Sequence, residues 1–215
     1  MEPAHEDLTA RARIRDAALR LFAERGTEGA TIRDIAKAAG VSAGLVRHHF
    51  GSKEALRDAC DSYALDRAMR IKEQAILEGQ ATSPGFMAAN HPTVLLLYRY
   101  FARVLLDGSQ PAAAMFDQMV DLTEQWLDQH GPHVSDDPRG YSAVLVGMQI
   151  GVLTMQEHVS RALGVDILSA EGHARLVRAL VDFYSQPLLS PELAAQAHAA
   201  YAQVQSPQPA EGARQ

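Results

Sequence analysis

Residues 31–56 read TIRDIAKAAGVSAGLVRHHFGSKEAL, and this stretch carries the clearest structural pattern in the chain. Thr31 and Ser42 each stand directly before a run of residues with helical apolar spacing, and both are residue types that cap helix N-termini. Gly40 lies between the two runs, where a tight turn favours a residue without a side chain. The pattern predicts two short helices in a helix-turn-helix, with Val41 filling the angle between them.

The regions on either side of this stretch carry further helix signals. Apolar residues recur at helical spacing ahead of Gly26, which predicts a first helix over 9–25. Ser52 predicts the start of a long helix at Lys53. Beyond it, Gly and Pro residues separate further helices. We predict one near 92–107, one or two from 111 through 129, and one each over 139–163, 170–186 and 191–204. No stretch shows convincing strand periodicity, so we predict an all-α fold.

The composition is that of a globular chain with little capacity for cysteine chemistry. Of the 215 residues, 47% are apolar and 21% are charged, a mix that can bury a core. Cys60 is the only cysteine, which excludes an intrachain disulfide and indicates a reducing compartment. The acidic N-terminus lacks the apolar segment of a secretory signal, and the uncharged stretch 141–156 is too short to span a bilayer. We therefore expect a cytoplasmic protein.

Charge is distributed unevenly along the chain. The formal net charge is −6, yet residues 9–57 carry +5 and residues 58–215 carry −8. A basic segment on an acidic body indicates a polyanionic partner, although the charge pattern alone is equally compatible with chance clustering on a solvated helix face. The basic side chains of this segment are Arg11, Arg13, Arg15, Arg20, Arg25, Arg33, Lys37, Arg47, Lys53 and Arg57.

The extended pattern resembles the DNA-binding domain of the TetR family of bacterial transcriptional regulators. The resemblance covers about residues 9–57 and includes the FAERG ending of the first helix. It implies a DNA-binding domain over 9–52 and a helical effector-binding and dimerisation domain over 53–205. We expect a disordered tail over 206–215. The matching positions are Thr31, Ile35, Ala36, Ala39, Gly40, Val41, Ser42, Gly44, His49, Phe50, Ser52 and Lys53.

We expect DNA contacts from ten residues. The resemblance implies that Thr31, Arg33, Ser42, His49 and Lys53 hold phosphates and that Ala43, Gly44, Leu45 and Arg47 face bases. His48 is an outer polar position of the helix after Ser42 and could also face the groove. Arg47 stands where the family commonly has Tyr. Since an Arg can hold a phosphate or fork onto a guanine, its role stays open between base and backbone.

Two helices of the acidic part, 139–163 and 170–186, are apolar on more than one face. Such helices must be covered on all sides, and a partner chain is the natural cover. We therefore predict a homodimer through a four-helix bundle, with two of these helices from each subunit. Two glycines of the helix over 139–163 would allow another backbone to approach closely or leave room for a ligand. The interface candidates are Gly147, Gly151, Val177, Leu180, Val181 and Tyr184.

Soft and aromatic side chains predict an effector pocket among the helices of the acidic part. Such residues suit an apolar or aromatic small molecule, although each of them could equally fill an ordinary core. The pocket candidates are Tyr98, Phe101, Met115, Met119, Trp126, Met148, Gln149, Val152 and Met155, with Met87, Phe116 and His158 in a wider set.

Together these features predict a homodimeric transcriptional regulator that binds a palindromic DNA operator and is released by a small-molecule effector, with repression favoured over activation. We expect no cofactor and no metal, since His48 and His49 point about 100° apart on a helix, and His130 and His133 flank a turn. We expect no enzymatic activity, because the sequence lacks a P-loop, a dinucleotide fingerprint and an HExxH helix. The remaining alternative is an interaction module in which the helix-turn-helix only supports a scaffold.

Overall fold

A computed structural model describes residues 5–80, 83–131 and 135–205, apart from the side chains of 5–8, 84, 87 and 202–205. The predicted tail, His133 and the side chain of Met87 lie outside the described residues. The described part of the chain is helical and contains no strand, which confirms the predicted all-α fold. Its helices are α1 (His5–Gly29), α2 (Ile32–Ala39), α3 (Ala43–Phe50), α4 (Lys53–Ile76), α5 (Pro84–Leu105), α6 (Gln110–His130), α7 (Pro138–Thr154), α8 (Gln156–Leu163), α9 (Ala170–Ser185) and α10 (Pro191–Gln205).

The chain divides into two compact units, one ending at Gly164 and the other beginning at Val165. The first unit contains α1 to α8, and the second contains α9 and α10. None of the helices in the described ranges is both long enough and apolar enough to cross a membrane.

The helix caps that the sequence predicts are present at the helix-turn-helix. The hydroxyl of Thr31 accepts the N–H of Asp34 at 3.2 Å, and the Asp34 carboxylate accepts the N–H of Thr31 at 3.1 Å. This reciprocal pair is a capping box with an acidic third residue, and it starts α2. Ser42 and Ser52 begin α3 and α4, where each hydroxyl accepts the N–H three residues on, at 3.1 Å and 3.0 Å.

Gly40 ends α2 in the left-handed region, with φ 67° and ψ 37°. Adding a side chain there costs about 1–2 kcal/mol through clash with the backbone, although the new Cβ would meet open space. We therefore expect Gly40→Ala to lower the free energy of unfolding in urea by about 1–2 kcal/mol.

Gly44→Ala is the matched control for Gly40→Ala. Gly44 lies inside α3 at a negative φ, and its Cβ would make only an ordinary contact, 3.7 Å from the hydroxyl oxygen of Ser42. This variant should gain helix propensity of up to about 1 kcal/mol. Equal losses of stability in the two variants would contradict the assignment of strain to the turn.

One hydrophobic core joins the helix-turn-helix to the helices that follow it. α1 packs against α2, α4 and α5. The core therefore continues across the predicted domain boundary after Ser52, and that boundary stays a prediction about function. Its larger members are Ile14, Leu19 and Phe22 from α1, Ile35 from α2, Val46 and Phe50 from α3, Leu56 from α4, Leu97, Tyr100, Phe101 and Val104 from α5, and Met115 from α6.

The first and fifth helices are longer than predicted. α1 continues to Gly29, although Gly26 interrupts its helical geometry with φ 73°. α5 begins at Pro84 and not near residue 92, because the Ser83 hydroxyl accepts the N–H of Phe86 at 3.4 Å and proline is well tolerated in a first helical turn. Pro92 consequently lies inside α5.

The single helix predicted over 139–163 is two helices, α7 and α8. The chain leaves helical geometry at Met155, with φ −97° and ψ 23°, and α8 then begins without a side-chain cap. Nothing in the apolar periodicity of this stretch marks the break, because apolar positions continue on both sides of it.

Candidate functional site

The residues predicted to contact DNA lie on the outer side of α2, on α3 and at the start of α4. Their outward position follows from packing, because Val46 and Phe50 hold the opposite face of α3 in the core. Those that are exposed are Thr31, Arg33, Ser42, Gly44, Arg47 and His48, and those that are half-buried are Ala43, Leu45, His49 and Lys53.

The hydroxyl of Thr31, one of the predicted phosphate contacts, is already engaged as both acceptor and donor. Besides accepting the N–H of Asp34, it donates to the Asp34 carboxylate at 2.6 Å. These hydrogen bonds lower the pKa of Asp34, so the carboxylate stays ionised and keeps accepting them. Thr31 can therefore reach a phosphate only by giving up its bond to Asp34.

Residues 40–44 read GVSAG and match the spacing of a hydrolase nucleophile elbow. A nucleophile elbow places its serine on a strained turn from a strand into a helix. Ser42 instead lies between two helices, and its hydroxyl accepts the N–H of Leu45 at 3.1 Å. This serine is a helix cap.

Not all basic side chains of residues 9–57 belong to the surface. Arg15 lies 2.7 Å from Asp16 and stacks over the ring of Tyr63, 3.5 Å from its centroid. Counting Arg57 as part of a surface that meets a polyanion is wrong, because its side chain is buried. The basic surface consists of exposed Arg11, Arg13, Arg20, Arg25, Arg33, Lys37 and Arg47, with half-buried Lys53 at its edge.

A buried polar network surrounds Arg57 and links α4 to the junction of α5 and α6. Its Nε lies 3.7 Å from Oδ2 of Asp61, and its Nη1 lies 3.3 Å from Oδ2 of Asp107. Nη1 also donates to the hydroxyl of Ser109 at 3.5 Å, and the Tyr100 hydroxyl donates to Asp61. The network therefore ties the start of α4, which carries Lys53, to the helices of the predicted effector domain.

The pKa values of the two carboxylates in this network are shifted in opposite directions. Burial raises the pKa of Asp61, against the hydrogen bond from Tyr100 and the charge of Arg57. Burial also acts to raise the pKa of Asp107, but hydrogen bonds with Ser109 and the charge of Arg57 outweigh it, and the pKa is lowered. Asp107 is thus the more firmly ionised partner of Arg57.

Cys60 packs beside this network as a buried thiol. It is buried, its thiol donates weakly to the backbone carbonyl of Arg15 at 3.6 Å, and burial raises its pKa. A thiol held in its neutral form is a poor nucleophile and a poor metal ligand. Within the described ranges, no three His, Cys, Asp or Glu side chains are grouped to hold a metal ion.

The predicted pocket residues fall into two groups. Phe101 and Met115 are buried in the core and Met119 packs against it, while Tyr98, Trp126 and Val152 are half-buried. Met148, Gln149 and Met155 are exposed, so the structure does not bring them into an interior with the others. The reason is the orientation of α7, which buries Ser142, Val146 and Leu153.

Lys72, which sequence analysis misses, accompanies Trp126. Its Nζ lies 4.0 Å from the centroid of the Trp126 ring, and burial lowers its pKa. The indole Nε1 of Trp126 is buried, and no described residue forms a hydrogen bond with it. The one available sequence signal is the helical spacing that puts Lys72 on the same stripe of α4 as Asp61, Leu65 and Ala68.

The outer face of α7 is apolar and uncovered. Tyr141, Val144 and Met148 are all exposed there. A Cβ added at Gly147 or Gly151 would meet no described atom within 4 Å, so packing within the described part of the chain does not require either glycine. The helix therefore has a second apolar face, as predicted, and no described residue of the first compact unit covers this face.

The second compact unit has an apolar helix face of its own. In α9, Leu176 is buried, and Val177 and Leu180 are half-buried. Val181 and Tyr184 are exposed, and their place in a dimer interface stays a prediction.

The N-terminal part of the chain is similar to a known family of proteins. Residues 14–60 match the family described as bacterial regulatory proteins, tetR family. The HTH-type transcriptional regulatory protein RaaS of Mycobacterium tuberculosis is 41% identical over 123 residues, which are 57% of this chain and 58% of that protein. The chain thus spans little more than half the length of this relative.

Similarity also extends beyond the helix-turn-helix. The HTH-type transcriptional repressor Rv3405c of Mycobacterium tuberculosis is 33% identical over 164 residues, which are 74% of this chain and 80% of that protein. A TetR-family transcriptional regulator from Rhodococcus sp. has a solved structure that superposes with a TM-score of 0.59 at 20% identity. The superposition covers 82% of this chain and 98% of the other, and it establishes a shared fold.

Proposed function

Because the chain belongs to the TetR family of bacterial regulatory proteins, we propose that it is a homodimeric repressor that binds a palindromic DNA operator and is released by a small-molecule effector. The observation that carries the proposal is the exposed outer side of α3, together with the adjacent parts of α2 and α4. This surface is basic, and Val46 and Phe50 hold the opposite face of α3 in the core. Several relatives bear the name of repressors, which favours repression over activation.

In this proposal, residues 9–52 form the DNA-binding domain, which Lys53 at the start of α4 assists, and the rest of residues 53–205 dimerise and bind the effector. α3 enters the major groove, with Arg47 and its small neighbours toward the bases. The two copies of α3 read half-sites about 34–36 Å apart, which is one helical turn of DNA. The effector acts by binding more tightly to a dimer whose α3 helices no longer match this spacing.

The Arg57 network supports this coupling between the two functions. It joins the first turns of α4 to the start of α6 through Asp107 and Ser109. A ligand that displaces α6 would therefore also displace the start of α4, and α4 follows α3 directly in the chain. This contact between α4 and α6 supports the proposed coupling.

The proposal is tested by titrating the purified protein into labelled DNA from upstream of its own gene. We expect sequence-specific binding that weakens steeply with salt, since phosphate contacts release counterions. Binding that is equally strong to scrambled DNA of the same length would refute operator recognition.

The proposed dimer is tested at the outer face of α7. Val144 is 62% exposed in the chain, and a second copy that covers it would have to bury a charge in Val144→Asp. We expect this variant to sediment as a monomer at micromolar concentration, where the unmodified protein is a dimer, and to lose operator binding. Leu106→Asp is the matched control, because Leu106 is 68% exposed at the end of α5. A dimeric Val144→Asp protein would place the interface elsewhere.

A further inference from the structure

The inner faces of α4 and α6 carry two hydrogen-bond donors where apolar side chains are expected. Trp126 continues the stripe of Met115, Met119 and Leu122 on α6, whose other members lie in or against the core. Lys72 continues the inner stripe of α4 and reaches the Trp126 ring at 4.0 Å. The two side chains therefore form one site, which we call the Lys72–Trp126 site.

Neither donor of this site is matched by an acceptor in the described part of the chain. The indole Nε1 of Trp126 is buried and has no hydrogen-bond partner. No carboxylate of the described residues lies within 4.0 Å of the Lys72 ammonium, although α6 carries several acids. Two of these acids, Asp121 and Glu124, are engaged by Arg139 on the surface instead.

Two unmatched donors beside an aromatic ring define the chemistry of a complementary ligand. A carboxylate offers two acceptor oxygens, one for the ammonium and one for the indole N–H. A flat apolar group on the same ligand would pack against the Trp126 ring and the methionines of α6. A neutral apolar ligand would leave both donors unsatisfied, which is unfavourable in a partly desolvated site.

We propose that the Lys72–Trp126 site binds an aromatic carboxylic acid and that such an acid is the class of effector for this protein. The effector role of this ligand rests on the proposed function, whereas the binding site itself does not. It sharpens the expectation of an apolar or aromatic effector, because it adds a negative charge. The proposal also explains why a lysine is half-buried at this position, since its partly desolvated ammonium would gain a partner when the ligand binds.

The experiment uses the fluorescence of Trp126, which is the only tryptophan of the chain. The probes are benzoate, phenylacetate and 3-phenylpropionate, and each is compared with its neutral carboxamide. We expect at least one acid to change the Trp126 emission saturably and to bind at least about tenfold more tightly than its amide. The same affinities are measured by calorimetry, which does not depend on the fluorophore.

Lys72→Met is the deciding variant, because it keeps the length of the side chain and removes the charge. We expect it to reduce the acid-over-amide preference to near unity. Arg70→Met is the matched control, since Arg70 carries the same charge on the exposed side of α4, where it pairs with Asp66 at 2.9 Å. This control should keep the full preference, and circular dichroism should confirm that both variants are folded.

The outcomes separate this inference from the proposed function. If no acid binds better than its amide, or if the preference survives in Lys72→Met, the Lys72–Trp126 site is only a structural cation–π contact and the inference is wrong. If the acid binds through Lys72 and also weakens operator binding, both the site and its effector role are supported. If the acid binds through Lys72 but the free protein binds no operator, the proposed function fails and the site stands.

Discussion

Replacing Arg57 with Met should lower the free energy of unfolding by about 3–5 kcal/mol, the usual cost of removing one partner from a buried ion pair. The side chains of Arg57 and Asp61 are only 9% and 12% exposed, so solvent cannot replace the lost guanidinium. In the variant, Asp61 keeps the hydrogen bond from Tyr100 but loses the positive charge beside it. Urea denaturation of the purified protein measures the change.

Arg70→Met is the matched control for this loss. Arg70 and Asp66 form a pair four residues apart on the same helix, but both side chains are 67% exposed. Such exposed pairs contribute about 0–1 kcal/mol, so the control should be almost as stable as the unmodified protein. Similar losses in the two variants would mean that the Arg57 network contributes no more than a surface pair.

A double variant separates the lost attraction from the stranded charge. In Arg57→Met with Asp61→Asn, the buried carboxylate is replaced by a neutral amide that Tyr100 can still bond. We expect this protein to recover part of the stability lost in Arg57→Met. A double variant less stable than Arg57→Met alone would show that the stranded charge of Asp61 is not the main cost.

The parts of the fold that follow from short-range signals could be predicted from the sequence. Thr31, Ser42 and Ser52 cap helices through bonds to the N–H three residues on, and Gly40 adopts the left-handed turn, so each acts within one helical turn of its own position. Local chemistry of this kind is visible in the sequence because no distant residue is needed to complete it.

The orientation of the later helices could not be predicted in the same way. α7 is apolar on two faces, and only packing decides which of them turns inward. For this reason Val146 is buried, while Met148 and Gln149, both proposed as pocket residues, are exposed. A periodic pattern identifies the faces of a helix, but it does not rank two apolar faces against each other.

Long-range polar contacts could not be predicted from the sequence either. Arg57 reads as one more basic residue of the DNA-binding segment, yet it is paired with Asp107, fifty residues away in the chain. Lys72 stands on a stripe with Asp61, and no local rule distinguishes a buried lysine from one whose chain lies along the surface. The caps and exposed residues of the candidate DNA-binding surface could thus be predicted from the sequence, whereas the contacts of the buried and half-buried charged side chains could not.

Operator binding should be reduced most by changes at Arg47 and Lys53. Arg47 is exposed on α3, and Lys53 is the first residue of α4. Losing one such contact costs about 1–3 kcal/mol, and a dimer loses it twice, so each Ala variant should weaken binding by about 2–6 kcal/mol. Dimerisation and helix content should stay unchanged, because neither side chain is part of the core.

The salt dependence distinguishes the roles of the two residues. If Lys53 holds a phosphate, Lys53→Ala should reduce the slope of log affinity against log salt by about 2 for the dimer and weaken all sequences alike. If Arg47 forks onto a guanine, Arg47→Ala should leave the slope nearly unchanged and relax the preference at one base pair of each half-site. A reduced slope in Arg47→Ala would place its guanidinium on the backbone instead.

Arg161→Ala is the control for both variants, since Arg161 is exposed on α8, outside the proposed DNA-binding domain. It removes the same charge from the chain, so any loss of affinity that it shares with them is a general effect of net charge. Only the excess loss in Arg47→Ala and Lys53→Ala measures contact with DNA. If all three variants bind the operator as the unmodified protein does, the contacts implied by the family pattern are wrong for this chain. The basic surface would then be a solvated helix face.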